Sequence, residues 1–257
     1  MKFNDLDARL RAFESADDPS VPPGTFLVAR LDGRGFTKLT KKQLPLDRPF
    51  DPRFRDWMLA TARHLAANSG ASPLYTYTQS DEISVLFHPD EDVFGRKIRK
   101  LLSVLAGEAS AAFTHASGQV GVFDCRLSPL PTLDLVVDYF RWRNEDAARN
   151  AMNAHCYWAL RARGDSARAA TSTLQGMGHG DKHEFLFSVA GTNFNELPLW
   201  QRRGSGLYLE WYEKEGHNPK TGETTTVRRR RLATNTELPM REAYNAFLRE
   251  LISAQLG

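Results

Sequence analysis

Apolar positions change period several times along the chain, and each change marks an element. Phe3, Leu6, Leu10 and Phe13 recur at helical spacing until Asp17-Asp18-Pro19 ends the segment. Val21-Pro22-Pro23-Gly24 then leads into Thr25–Leu31, a run too short for a helix and too apolar to lie in water, which predicts a central strand. Asp51-Pro52, a cap residue followed by proline at the first helical position, opens a helix that keeps Phe54, Trp57, Met58, Thr61 and Leu65 on one face until Asn68-Ser69-Gly70. Tyr75–Thr78 and Ile83–Phe87 are rich in β-branched and aromatic residues, which predicts a hairpin with Asp81 and Glu82 at its tip. A helix is predicted over residues 93–116, with Ile98, Leu101, Leu102 and Leu105 on one side and Arg96, Lys97, Arg99 and Lys100 on the other. Gly121–Leu127 reads as a fourth strand. Strand, helix, strand, strand, helix, strand is the split order of ferredoxin-like domains, which also builds polymerase palms.

The second half differs in character. Residues 134–163 read as one long helix that mixes Tyr139, Phe140, Trp142, Tyr157 and Trp158 with Arg141, Arg143, Arg149, Arg161 and Arg163. Such a helix either packs its aromatics on a sheet or stacks bases and holds phosphates. Gly206–Tyr212 is predicted to pair with Thr224–Arg228 across a turn at Asn218-Pro219-Lys220-Thr221-Gly222, and Arg228-Arg229-Arg230-Arg231 continues that second strand as the densest positive charge in the chain. Phosphate contact would relieve the repulsion among the four arginines, although an edge strand protected by charge is the alternative. The expected fold class is α+β: an antiparallel ferredoxin-like palm with packed helices over residues 1–132, and a helical and β-hairpin extension that binds RNA over 133–257.

Composition narrows the picture modestly. With 257 residues, 41% hydrophobic and 25% charged, the chain is an ordinary globular protein of one large or two modest domains. A net charge of +3 is too small to argue nucleic-acid binding by itself, so the distribution of charge matters more. Cys125 and Cys156 have no metal or redox spacing and are expected to be reduced and structural. The acidic N-terminus does not resemble a signal peptide, and no apolar run approaches the roughly 18 residues of a membrane span. A cytoplasmic protein is expected.

The candidate chemistry sits in two acidic turns. Leu31-Asp32-Gly33-Arg34-Gly35-Phe36 follows the first strand, and Gln79-Ser80-Asp81-Glu82 joins the hairpin. If both strand systems share a sheet, Asp32 and Asp81 approach each other, and bare carboxylates repel by about 4 kcal/mol at about 4 Å and an effective dielectric of about 20. Mg²⁺ would neutralise them, since it prefers a few carboxylate oxygens plus substrate phosphates to a protein cage. Gly33 and Gly35 would let backbone approach a phosphate. The constellation reads as a metal-dependent nucleotide site, against the plain reading that Asp-Gly and Ser-Asp-Glu are turn residues. Residues 38–51 are expected to loop over the site, and the basic helix face is either solvated or holds a triphosphate. His179, His183 and Glu184 fail the zinc signature, because no glutamate follows His179 directly and no third ligand is evident.

The motifs Arg30-Leu31-Asp32-Gly33-Arg34-Gly35-Phe36, Gln79-Ser80-Asp81-Glu82, Phe123-Asp124, Asp138-Tyr139 with Trp142-Arg143, Leu174-Gln175-Gly176, Asp181-Lys182-His183-Glu184 and Asn195-Glu196-Leu197-Pro198 run collinearly. Together they resemble the tRNA-histidine guanylyltransferase family. The resemblance implies a polymerase-like palm that adds nucleotides to the 5' end of tRNA, with two Mg²⁺ ions held by Asp32, Gly33 and Asp81 and with Glu82 as an adjacent catalytic carboxylate. It also implies a nucleotide cradle of Asp32, Gly33, Arg34, Gly35, Phe36, Thr37, Ser80 and Asp81, triphosphate contacts from Lys97 and Lys100, and an activation-site residue at Arg48. RNA contacts are expected from Arg149, Asn150, Lys182, Arg228, Arg229, Arg230 and Arg231. ATP and GTP are the implied substrates, and a homotetramer the implied assembly. Where eukaryotic members carry His-Ile-Asn-Asn-Leu-Tyr-Asn, this chain has Ala148-Arg149-Asn150-Ala151-Met152-Asn153-Ala154, so it resembles the bacterial and archaeal branch that repairs truncated tRNA 5' ends against a template. Addition of the extra 5' G to histidine tRNA, an RNA-binding module without catalysis, and a palm-type nucleotide cyclase are the competing readings.

Overall fold

A computed structural model describes residues 2–217 and 224–256. In chain order the elements are α1 (Phe3–Glu14), β1 (Phe26–Gly33), α2 (Phe36–Lys38), α3 (Pro52–Asn68), β2 (Pro73–Gln79), β3 (Glu82–Phe87), α4 (Ile98–Ser117), β4 (Phe123–Leu130), α5 (Leu133–Ala162), α6 (Ala167–Gln175), α7 (His179–Ala190), α8 (Leu199–Arg203), β5 (Ser205–His217), β6 (Thr224–Asn235) and α9 (Glu242–Leu256). One antiparallel sheet takes the order β4-β1-β3-β2-β5-β6. Its first four strands have the ferredoxin-like arrangement expected from the sequence. The hairpin of the second half joins the same sheet, because β5 adds to the outer edge of β2 through Thr76↔Leu207, Tyr77↔Gly206 and Thr78↔Ser205.

Alternation along the strands divides the core. Leu27, Ala29 and Leu31 of β1 with Ile83, Val85 and Phe87 of β3 face α3 and α4, where Leu65, Leu105 and Phe113 meet them. Phe26, Val28 and Leu86 point the other way, against Val136 and Phe140 of α5 and Tyr244 and Leu248 of α9. The second half of α5 builds a third cluster, Met152, Cys156 and Leu160, with Ala170 of α6 and Leu186 of α7. α3 starts as predicted: Asp51 accepts the Arg53 N–H at 2.7 Å, and Arg53 beside it holds the carboxyl well below the usual range.

Two sequence expectations are corrected. The helix predicted over 93–116 breaks at its start, since Val93–Arg96 is a 3-10 turn with left-handed Phe94, Gly95 and Arg96, and α4 begins at Ile98. The cause is Arg96, which turns inward and donates to the carbonyls of Val21, Pro89, Glu91 and Thr25; these bonds offset the cost of about 1–2 kcal/mol for a left-handed residue with a Cβ. The expected loop over 38–51 opens with a helical run, Phe36–Gln43. As expected, the four arginines continue the second strand of the hairpin, and β6 runs on to Asn235. The turn predicted at 218–222 lies outside the described residues. Among those described, no helix is long and apolar enough to cross a membrane.

Candidate functional site

β1 does not end before Asp32 but carries it within the ladder. Asp32 is opposed by Glu82 on β3 and by Asp124 on β4, and Gln79 on β2 is opposed by Glu82. Directly opposed residues of antiparallel strands share a face, so Asp124, Asp32, Glu82 and Gln79 form one polar rank on the α5 side of the sheet. Asp81 sits beside that rank, in the two-residue turn that Ser80 closes with φ +53°. The Gly33 N–H donates to the Asp81 carbonyl at 3.0 Å, which ties the two acidic turns together.

Beyond Asp32 the chain turns through Gly33 and Gly35, the latter at φ +76°. Phe36 then plugs into the core, its ring 4.8 Å from Phe113 and 5.0 Å from Phe123. A Cβ at Gly33 would stand 2.5 Å from the Phe36 ring. Gly33→Ala is therefore expected to push Phe36 out of its socket, costing about 1–3 kcal/mol and weakening nucleotide binding; thermal unfolding and nucleotide titration check both. The N–H groups at the start of the helical run Phe36–Gln43 have no intrahelical partners and are available to an anion.

The electrostatics separate the carboxylates into two kinds. Glu82 is spent on Arg143, whose Nε donates to one oxygen at 2.8 Å and whose Nη2 donates to the other at 2.7 Å. Arg143 also reaches Asp146 at 3.2 Å, and Asp146 accepts from Asn150 at 3.1 Å and pairs with Arg149. Asp32 and Asp81 take no ion pair among the described residues. Asp81 accepts only the Ser80 hydroxyl from a side chain, at 3.1 Å; burial first, and then the charges of Asp32 and Glu82, raise its carboxyl to about 6. Two unneutralised carboxylates at the end of a sheet are the donor set an oxygen-loving cation takes, with Gly33 in the same turn. Among the described residues no three His, Cys, Asp or Glu cluster as an all-protein metal cage.

A cleft of about 800 Å³ opens over this rank, between the palm and α5–α7. Asp32, Phe36, Thr37, Ser80, Asp81 and Glu82 line it from the palm, and Asn150 and Lys182, expected on RNA, line it from the other side. A slot of about 110 Å³ adjoins it, walled by Phe50, Met58, Trp158 and Trp200. Arg48 lines the slot but not the large cleft, with its guanidinium 5.2 Å from the Trp158 ring. Gly33 is buried behind the cradle and Arg34 and Gly35 are exposed beside it.

Lys97 and Lys100 are not brought to the site. Lys97 bridges to Ser20 and pairs with Asp18 at 2.6 Å, next to Arg96, which binds the Thr25 carbonyl at the start of β1. Asp32 is near the other end of that strand, about 20 Å away at the usual rise per residue. Arg149 is exposed at the cleft rim. Arg228 and Arg230 stack on Trp211, and Arg231 stacks on Tyr212 and pairs with Glu210 at 2.6 Å, all on the edge strand β6 with Arg229. The His179 and His183 rings lie 4.8 Å apart and gather no third ligand among the described residues. Sequence reasoning missed Asp146, Lys41 and Thr171 in the cleft; the i, i+3 and i+4 spacing of Arg143, Asp146 and Arg149 or Asn150 is the signal that would have found the first.

Comparison with known proteins agrees with this geometry. The family model for tRNAHis guanylyltransferase matches residues 7–131, and the model for the C-terminal domain of the same family matches 134–245. The tRNA(His) guanylyltransferase of Neurospora crassa is 32% identical over 226 residues, which cover 83% of this chain and 76% of that protein. The Schizosaccharomyces pombe enzyme is 30% identical over 76% of this chain and 77% of its own. Among solved structures, the Saccharomyces cerevisiae tRNA(His) guanylyltransferase superposes with a TM-score of 0.72 at 24% identity, covering 80% of this chain and 92% of that one. A bacterial tRNA(His) guanylyltransferase-like protein in complex with ATP gives 0.75 at 24% identity, covering 96% and 98%. The fold, the acidic rank and these matches together show that the chain belongs to the tRNA(His) guanylyltransferase family and is a nucleotidyltransferase.

Proposed function

We propose that this protein repairs truncated tRNA 5' ends, adding nucleotides in the 3'-to-5' direction against the opposing strand through a 5'-adenylylated intermediate. The observation that carries the reading is the asymmetry of the acidic rank: Glu82 is neutralised by Arg143 while Asp32 and Asp81 face the cleft unpaired. A protein that only binds RNA has no use for two bare carboxylates beside a phosphate path. Asp32 and Asp81, with the Gly33 carbonyl, would hold Mg²⁺. The chemistry such ions supply is a lowered pKa at the attacking oxygen and neutralised charge at the leaving group.

The chain's own residues bind and orient. The amides of Gly35, Phe36 and Thr37 receive phosphate oxygens, and the slot between Phe50, Trp158 and Trp200 accepts a base. Lys182 and Asn150 hold the RNA end across the cleft. In the first transfer an oxygen of the RNA 5'-phosphate attacks the α-phosphorus of ATP and pyrophosphate leaves. In the second, the 3'-hydroxyl of the incoming nucleotide attacks the RNA 5'-phosphorus and AMP leaves. No protein nucleophile takes part.

One observation favours this reading over addition of the extra G to histidine tRNA: the segment Ala148–Ala154 retains only Asn150 of the eukaryotic stretch. A tRNA lacking its first nucleotide, supplied with Mg²⁺, ATP and each labelled nucleotide in turn, is expected to gain the nucleotide that pairs with the opposing base. Addition of G whatever the opposing base would favour the histidine-tRNA reading instead. Turnover of nucleotide without RNA would point to a cyclase, and RNA binding without addition to a binding module.

A further inference from the structure

Trp158 and Pro49 also border a second cavity of about 470 Å³, between the end of α5 and the end of α7, whose other lining residues are absent from the large cleft. That volume lies within the range of about 300–1,000 Å³ of small-molecule sites. Its ionisable lining is Arg48, Arg161 and His155, with no Asp or Glu. Arg161 forms no ion pair among the described residues, and its Nε is buried without a hydrogen-bond partner. Arg48 gives one N–H to the Thr40 carbonyl and otherwise stacks on Trp158.

The end of α7 would ordinarily bring negative potential, but its carbonyls are turned to internal donors. Leu186 accepts the Thr192 N–H at 3.1 Å and Phe187 the Gly191 N–H at 3.1 Å, while the Thr192 hydroxyl donates to Ala190 at 3.2 Å. What remains is a pocket with two guanidinium groups, an indole wall and no counter-charge. A guanidinium fork matches phosphate, and an indole face accepts a base or a sugar.

We propose that this cavity is a second nucleotide-phosphate site, which holds the phosphate of a nucleoside phosphate between Arg48 and Arg161 against Trp158, apart from the Asp32 and Asp81 cleft. The nucleotide is either free or a unit of the RNA strand; only the second source rests on the RNA-directed function proposed above.

The test is equilibrium binding in an Asp32→Ala/Asp81→Ala background, with ATP and with a 5'-truncated tRNA as separate probes and salt as a variable. Arg161→Glu reverses the charge at a half-exposed helix position, and Thr192→Trp fills the cavity without touching the arginines. A drop of about ten-fold or more in ATP affinity in both variants, the worth of one charge-assisted phosphate contact, supports a free-nucleotide site. An equal drop for tRNA, with the salt dependence of Arg161→Glu shallower by about one phosphate contact, supports an RNA-strand site. Affinities for both probes within about two-fold of the background would overturn the proposal. Because binding is read in a catalytically disabled background, failure of 5' addition by the wild-type protein sinks the proposed function without deciding this site.

Discussion

Replacing Asp32 or Asp81 by alanine is expected to lower 5' nucleotide addition by about a thousand-fold or more while leaving the protein folded. Neither carboxylate is paired with a base in the structure, so its loss removes repulsion and, at Asp81, a single hydrogen bond from Ser80. In the folded protein the Asp81 pKa is raised to about 6 from the ordinary 3.8, so the ligand-free protein is favoured while the group is protonated and loses that contribution as pH rises from near 4 through about 6. A shift of this size corresponds to about 3 kcal/mol at most. Asp81→Asn is expected to flatten this part of the stability curve and to raise the melting temperature above about pH 6. Magnesium should raise the melting temperature of the wild type there and leave that of Asp81→Asn nearly unchanged. Thermal melts across pH, with and without the ion, check both statements. A variant that melts lower than wild type at neutral pH would show that Asp81 carries structure instead.

Arg143→Ala is expected to be the most damaging single change to stability. The side chains of Arg143, Glu82 and Asp146 are only 12%, 13% and 14% exposed, so truncating the arginine leaves Glu82 buried with only Arg30 at 3.9 Å and leaves Asp146 to Arg149 and Asn150, at about 3 kcal/mol. Arg143→Lys keeps the charge and loses the fork that reaches both Glu82 oxygens, and should fall between. Arg143→Met combined with Glu82→Gln should recover much of the loss, because the charge left behind is then gone. Denaturant midpoints read all three. If the double variant is no more stable than Arg143→Ala, the damage comes from packing around Trp142 and not from charge.

The elements that sequence alone made legible are those whose information is local. A seven-residue apolar run, a cap followed by proline, and β-branched pairs flanking Ser80-Asp81 each specify their structure without reference to distant residues. The palm order followed from them, and with it the meeting of Asp32 with the Asp81 turn. What was not legible depends on where an element's ends fall in space. Lys97 and Lys100 share a basic helix face, but spacing does not say which end of the sheet that face serves. Arg96 looks like its neighbours in a row of cations, yet it closes four backbone carbonyls inside the protein. The bond between Arg143 and Glu82 spans 61 residues of sequence, so no window could contain it. The pairing of β5 with β2 rests on only three residue pairs, between strands that every element from β3 to α8 separates in sequence.

One count of residues sets how the two halves of the cleft face each other. α5 is a single helix of 30 residues, about 45 Å long. Its first turns are locked by Val136, Val137 and Phe140 into the sheet, and its last turns by Met152, Cys156 and Leu160 into the cluster of α6 and α7. Arg143, Asp146 and Asn150 lie between these two anchorages, toward the cleft. Removing one residue from that interval would turn Asn150 and everything after it by about 100° about the axis relative to Asp32, with every hydrophobic contact at either end still chemically possible. The helix therefore works as a phase standard: the protein keeps the Asp32 side and the Asn150 side of the cleft in angular register by residue number.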